Sequence, residues 1–101
     1  MDGSATRRRV LRTLRAQEDR LRREFAIRSL ALFGSVARDR ADARSDVDLL
    51  VEFDRPVGLL HLARTARELE QLVGAPVDLI LRRAVLPELR DRISREAVDV
   101  F

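Results

Sequence analysis

The sequence has no cysteine, no tryptophan, no tyrosine and no lysine, and only one histidine, His61. Without cysteine there are no disulfides, thiolate zinc sites or thiol nucleophiles, and one imidazole cannot assemble a histidine metal cluster. Any metal must therefore sit on carboxylates. All 20 basic residues are arginine, and guanidinium stays protonated in proteins, so neither a Schiff base nor an amine general base is available. Long apolar runs are missing too. A membrane span needs about 20 consecutive apolar residues, and Arg, Asp or Glu interrupts the chain well before that everywhere. The opening MDGSATRRRVLRTLR is basic but lacks an apolar core with a small-residue cleavage site behind it, so no secretory signal is expected. A cytoplasmic location follows as the expectation.

What is present suits one small domain spanning residues 1–101, with 46% hydrophobic and 37% charged residues. The net charge is only +3, so a sequence pI near 11.0 overstates how basic the surface is. Exclusive use of arginine reads as a compositional habit rather than a functional choice.

Helical spacing of Val10, Leu14, Leu21 and Phe25 predicts one amphipathic helix over residues 6–25, capped by Ser4 or Thr6. Arg28 to Phe33 is a short apolar run that stops at Gly34-Ser35, which reads as a buried strand ending in a tight turn. A short helix is expected from Ser35 to about Arg40. From Asp46 to Phe53 the alternation is sharp, with Val47, Leu49, Val51 and Phe53 on one face and Asp46, Asp48, Leu50 and Glu52 on the other. That is a half-buried strand. Leu59, Leu62, Ala63, Ala66, Leu69 and Val73 trace the core face of a helix that stops at Gly74. Val77 to Leu81 is a further strand, Pro87 opens a helix to about Ser94 or Arg95, and Ala97 to Phe101 either extends it or forms a short strand. The alternation of helices and strands predicts an α/β (α+β) architecture, a small mixed sheet flanked by helices.

Asp46 and Asp48 lie two apart on a strand, so their carboxylates leave the same face about 6 to 7 Å apart. They can share a metal. Val47-Asp48-Leu49 recurs as Val77-Asp78-Leu79, and if the two strands are neighbours a third carboxylate joins them. Three packed anions raise one another's pKa unless a cation neutralises them. Oxygen ligands of this kind suit Mg²⁺ or Mn²⁺, and clustered aspartates serve two-metal phosphoryl or nucleotidyl transfer. Gly34-Ser35 supplies a matching phosphate seat, since glycine lets the backbone approach a ligand and the helix behind it presents free N–H groups. Arg38, one turn on, can reach an outer phosphate oxygen. Each piece alone has a plainer reading, a turn or a solvated edge face. Their combination is hard to obtain as surface decoration.

Residues 34–53, GSVARDRADARSDVDLLVEF, closely resemble the signature of the minimal nucleotidyltransferases of the DNA polymerase beta superfamily. The elements that carry the resemblance are Gly34, Ser35, Ala37-Arg38, Ser45-Asp46, Asp48 and the following LLVEF, with PVDLI at 76–80 as the third acidic strand. It implies a nucleotidyltransferase fold, two Mg²⁺ ions (Mn²⁺ possible) held by Asp46, Asp48 and Asp78, and ATP as nucleotide donor with its phosphates on Gly34-Ser35. Arg38 and Ser45 complete the implied nucleotide contacts, and Asp39 stands where members often have glycine. The resemblance also implies a partner: proteins similar to this one commonly act as antitoxin to a helical HEPN ribonuclease toxin, some by transferring AMP to a toxin tyrosine.

Size points the same way, because a chain this short has little wall left to enclose a second substrate. The acceptor hydroxyl is expected on a docked protein, held by leftover apolar side chains of the first or last helix and the arginine-rich face. Nucleic acid is disfavoured: Glu18, Asp19 and Glu24 interrupt the N-terminal arginines, and no Trp or Tyr can stack on bases. Two other functions compete, an antitoxin that acts by occupation alone and a small-molecule (aminoglycoside-type) nucleotidyltransferase, which usually needs an added domain.

Overall fold

A computed structural model of the chain describes residues 6–38 and 46–101. Helices α1 (Arg7–Arg15) and α2 (Glu18–Phe25) lead into strand β1 (Ile27–Phe33), the short helix α3 (Gly34–Ala37) and strand β2 (Val47–Phe53). Helix α4 (Leu59–Val73), strand β3 (Val77–Leu81), a 3₁₀ turn (Arg82–Ala84), helix α5 (Pro87–Glu96) and strand β4 (Val98–Asp99) complete it. The four strands form one mixed sheet in the order β3-β2-β1-β4. β2 lies antiparallel to β1 and parallel to β3, and β4 closes the other edge antiparallel to β1. The tail thus forms the short strand, not a helix extension.

Two helices replace the single one expected over residues 6–25. No glycine or proline marks the break; the chain turns at Ala16–Gln17, where the Gln17 N–H donates to the Leu14 carbonyl. The turn lets Val10 and Leu14 of one helix and Leu21 and Phe25 of the other enter the same core from separate axes. Tertiary packing decides this boundary, not local propensity.

Strand β2 also differs from the half-buried reading. Val47, Leu49 and Val51 face the core as expected, but Leu50, placed with the aspartates, is only 2% exposed. Part of the aspartate face is therefore covered. On α4 the core stripe is Leu62, Thr65, Leu69 and Val73, shifted from the predicted face. Leu59 is 84% exposed and Ala63 lies in solvent. Thr65 is tolerated inside because its hydroxyl donates to the His61 carbonyl one turn back. Gly74 ends α4 at φ 72°, the left-handed stop expected of it.

Several arginines of α1 and α2 are tied to the fold, while Arg8, Arg12 and Arg23 remain exposed. Arg7 donates to the Ala37 carbonyl, Arg9 to that of Val73, Arg15 to those of Asp99 and Val100, and Arg22 to that of Arg28. Several of these carbonyls end a helix or strand and have no partner within their own element, so a guanidinium is the natural donor there. His61 is held within the fold. Its Nε2 lies 2.7 Å from the Phe25 carbonyl and its ring packs edge-on against Phe53. No helix among the described residues is long and apolar enough to cross a membrane.

Candidate functional site

The parallel pairing of β2 with β3 sets the site. Val47 aligns with Val77, Asp48 with Asp78 and Leu49 with Leu79, so the two VDL triplets lie side by side. In-register parallel strands project aligned side chains to the same face, with backbones about 4.8 Å apart. Asp48 and Asp78 are therefore neighbours. Asp46 comes one strand step earlier, just ahead of Val47, whose N–H is held by the Pro76 carbonyl at 2.8 Å. Asp46 and Asp78 are exposed, whereas Asp48 is half-buried.

On the other side of β2, Phe33 pairs with Asp48, so the turn after β1 comes directly beside that carboxylate. Gly34 follows with φ 77°, a conformation L side chains rarely adopt. A Cβ at Gly34 would overlap the Asp48 carboxylate oxygen and lie only 3.1 Å from its Cγ. The glycine is required twice over, by its backbone angle and by its neighbour. Val36 and Ala37 of α3 are buried and anchor this turn, while Ser35 stays partly accessible beside it.

Arg38 is engaged otherwise than expected. Its guanidinium pairs with Glu96 at the end of α5, 3.1 Å away, and Glu96 also faces Arg92 at 3.6 Å. Arg38 remains close enough to Asp48 for its positive charge to favour the ionised carboxylate. Ser45 and Asp39 lie outside the described residues.

Burial pushes the Asp48 carboxyl above the ordinary carboxylate range, and the negative charges of Asp78 and then Asp46 push it further. Both causes disfavour the anion, and a cation would relieve both. The donors are all carboxylate oxygens, which suits Mg²⁺ or Mn²⁺. Among the described residues no three Asp, Glu or His side chains form a metal-binding group; the strand register aligns Asp48 with Asp78, and Asp46 is exposed just ahead of β2. A divalent ion that binds only the folded state adds about 2.7 kcal/mol when present at about 100 times its Kd. Millimolar Mg²⁺ or Mn²⁺ with ATP is therefore expected to raise the melting temperature and chelator to reverse it. An unchanged midpoint would remove the metal from this site.

A family model described as the nucleotidyltransferase domain matches residues 14–100. The chain belongs to that family. A relative from Thermococcus cleftensis named protein adenylyltransferase MntA is 36% identical over 87 residues, covering 86% of this chain and 88% of its own length. MJ0435 of Methanocaldococcus jannaschii, provisionally named a protein adenylyltransferase, is 43% identical over 78 residues, covering 77% of this chain and 84% of its own. Among solved structures, one described provisionally as a minimal nucleotidyltransferase superposes with a TM-score of 0.71 at 41% identity, covering 87% of this chain and 93% of that one. At the level of fold alone, the protein is similar to one chain of a structure described as a tri-AMPylated Shewanella oneidensis HEPN toxin in complex with MNT antitoxin, with a TM-score of 0.64, 17% identity, and coverage of 90% of this chain and 71% of that one. The small mixed sheet with flanking helices is thus a nucleotidyltransferase fold, and the chain is a minimal nucleotidyltransferase.

For this nucleotidyltransferase, sequence reasoning missed the role of Glu96. Nothing in its spacing distinguishes it from the other acids of α5. Only the folded juxtaposition of the α5 end with the turn after α3 brings it to Arg38.

Proposed function

We propose that this nucleotidyltransferase transfers AMP from ATP to a hydroxyl of a partner protein, a helical HEPN-type toxin, and so serves as that toxin's antitoxin in the cytoplasm. The observation that carries the reading is the alignment of Asp48 with Asp78 next to a glycine whose missing side chain lets the Asp48 carboxylate approach. The adenylyltransferase names of its relatives support the choice of reaction, and the toxin–antitoxin complexes of the same fold support the choice of partner.

Asp46, Asp48 and Asp78 would hold the divalent ions, and Gly34 and Ser35 would lie along the triphosphate. Bound divalent ions supply charge neutralisation on the transferred phosphoryl group and on the departing pyrophosphate. Asp78, exposed on the β3 side, takes the proton of the acceptor hydroxyl. The acceptor oxygen then forms its bond to the α-phosphorus as the bond from that phosphorus to the bridging oxygen breaks, and pyrophosphate leaves. Arg38 exchanges Glu96 for an outer phosphate oxygen, a pairing of similar charge and geometry.

Incubation with ATP, Mg²⁺ and the helical protein encoded beside this chain is expected to add one or more AMP increments to that protein, read by intact mass, and Asp46→Asn is expected to add none. Neutralisation of the partner by wild type and variant alike, with no change in mass, would replace transfer by simple occupation.

A further inference from the structure

Beyond the carboxylates, β2 and β3 run on into a cleft of about 560 Å³ with apolar lining from Leu50, Phe53, Val57, Leu81 and Val85. Leu50 is the next residue after Asp48 on the same strand face, about 6 to 7 Å along. The cleft therefore opens beside the candidate site.

Its charge is one-sided. Arg55, Arg82, Arg83 and Arg90 line it against only Glu52 and Asp54. Asp54 is paired with Arg55 at 3.2 Å, and Glu52 accepts from the Ser29 hydroxyl at 3.2 Å. Arg82, Arg83 and Arg90 have no ion-pair partner among the described residues. The Arg82 Nε is buried with no hydrogen-bond acceptor, and the Arg90 Nε reaches only the Val85 carbonyl at 3.4 Å. A guanidinium N–H kept from water without an acceptor stays destabilised until one arrives.

Exposed leucines border both walls. Leu59 (84% exposed) and Leu60 (77%) begin α4 just past the Arg55–Val57 wall, and Leu86 (57%) and Leu89 (41%) flank the Val85–Arg90 wall. No residue of α5 is buried, so this helix adds little to the core and much to the surface. A nucleotide in the cleft would leave these leucines in water. An exposed apolar margin around a charged centre fits a protein partner instead.

We propose that this cleft and its leucine margin grip the protein acceptor through an acidic amphipathic helical segment. The segment's carboxylates meet Arg82, Arg83 and Arg90, and its apolar face covers Leu59, Leu60, Leu86 and Leu89. The identity of that partner as the acceptor rests on the transfer reading above; the surface itself does not depend on catalysis. A helix seated here brings its neighbouring hydroxyls to Asp48 and Asp78 from the β3 side.

The probe is a fluorescein-labelled synthetic peptide of about 20 residues, long enough to form a helix, with leucine at helical spacing and glutamate elsewhere. Fluorescence anisotropy with the full chain should show binding that weakens with salt, and a lysine-for-glutamate peptide should not bind. Serine in place of the peptide's leucines should weaken binding about tenfold, as should Leu59→Ser with Leu60→Ser or Arg83→Glu with Arg90→Glu in the protein. These four positions are exposed, and thermal melts check that the variants fold. Arg8→Glu with Arg12→Glu on α1 should change nothing, and Asp48→Asn should still bind the peptide. No binding of the acidic peptide up to about millimolar concentration, or equal loss from the α1 pair, would overturn the proposal. So would displacement of the peptide by ATP together with loss of ATP binding in the Arg83, Arg90 variant, which would make the cleft a nucleotide pocket. Failed transfer with all peptide results intact would overturn the transfer reading and leave the docking surface standing.

Discussion

Asp48→Asn is expected to cut AMP transfer by about a thousandfold or more while raising the melting temperature of the metal-free protein. The two effects have one cause. Asp48 is the carboxylate that burial and its neighbours Asp78 and Asp46 most oppose, and a bound cation turns that opposition into affinity. Removing its charge forfeits several kcal/mol of electrostatic stabilisation at the transferred phosphoryl group, and each 1.4 kcal/mol is about tenfold in rate. Without metal the sign reverses. The folded pKa of Asp48 lies above its ordinary value of 3.8, so between those two values the folded chain holds more proton than the unfolded chain, and stability falls as pH rises. The deficit is complete once pH exceeds the folded value. Asparagine keeps the shape and has no anion to penalise. Melts in chelator should therefore show the variant more stable than wild type at neutral pH and equal to it below 3.8, with Mg²⁺ and ATP stabilising only the wild type. A variant that still transfers AMP would remove Asp48 from the reaction, and a stability difference indifferent to pH would remove its charge from the explanation.

Much of this was legible in the chain, and the parts that were not share a physical character. Strand β3, helix α4 with its Gly74 stop and the paired VDL triplets could be read locally, because alternation, left-handed glycine and repeated spacing are properties of short windows. The expectation that Asp48 and Asp78 meet was conditional on neighbouring strands, and the parallel register satisfies it residue for residue. What escaped was decided by contacts far apart in sequence. The break at Ala16–Gln17 has no local signal, since both halves carry good helix formers. The burial of Leu50 depends on what covers the aspartate face. The arginines of α1 looked like a free basic surface, yet Arg7, Arg9 and Arg15 reach carbonyls 30, 64 and 84 or 85 residues away. That internal use draws Arg7, Arg9 and Arg15 away from any docking surface, whereas Arg83 of the 3₁₀ turn and Arg90 of α5 have no ion-pair partner among the described residues.

Gly34→Ala is expected to lower transfer by about a hundredfold or more, and Gly74→Ala is expected to leave it nearly unchanged, although the two glycines have almost the same backbone angle. Both sit in the left-handed region, at φ 77° and 72°, so alanine at either costs about 1–2 kcal/mol of backbone strain. The difference lies in what the new methyl meets. At Gly74 it comes 3.2 Å from the terminal nitrogen of Arg9, the far end of a flexible side chain that can move aside by a few tenths of an ångström. At Gly34 it overlaps the Asp48 carboxylate, whose own Cβ would be only 3.3 Å away, so the carboxylate or the turn must shift bodily. A displacement on the order of 1 Å in a positioned group costs about a hundredfold in rate. Thermal melts should therefore rank the two variants as similarly destabilised, with Gly34→Ala somewhat the worse, while intact-mass assays with ATP and Mg²⁺ separate them widely. Equal activity in both variants would mean that the close approach of Gly34 to Asp48 serves the fold alone. Equal loss in both would mean that the assay reports stability. Only the split between them ties the turn after β1 to the chemistry at Asp48.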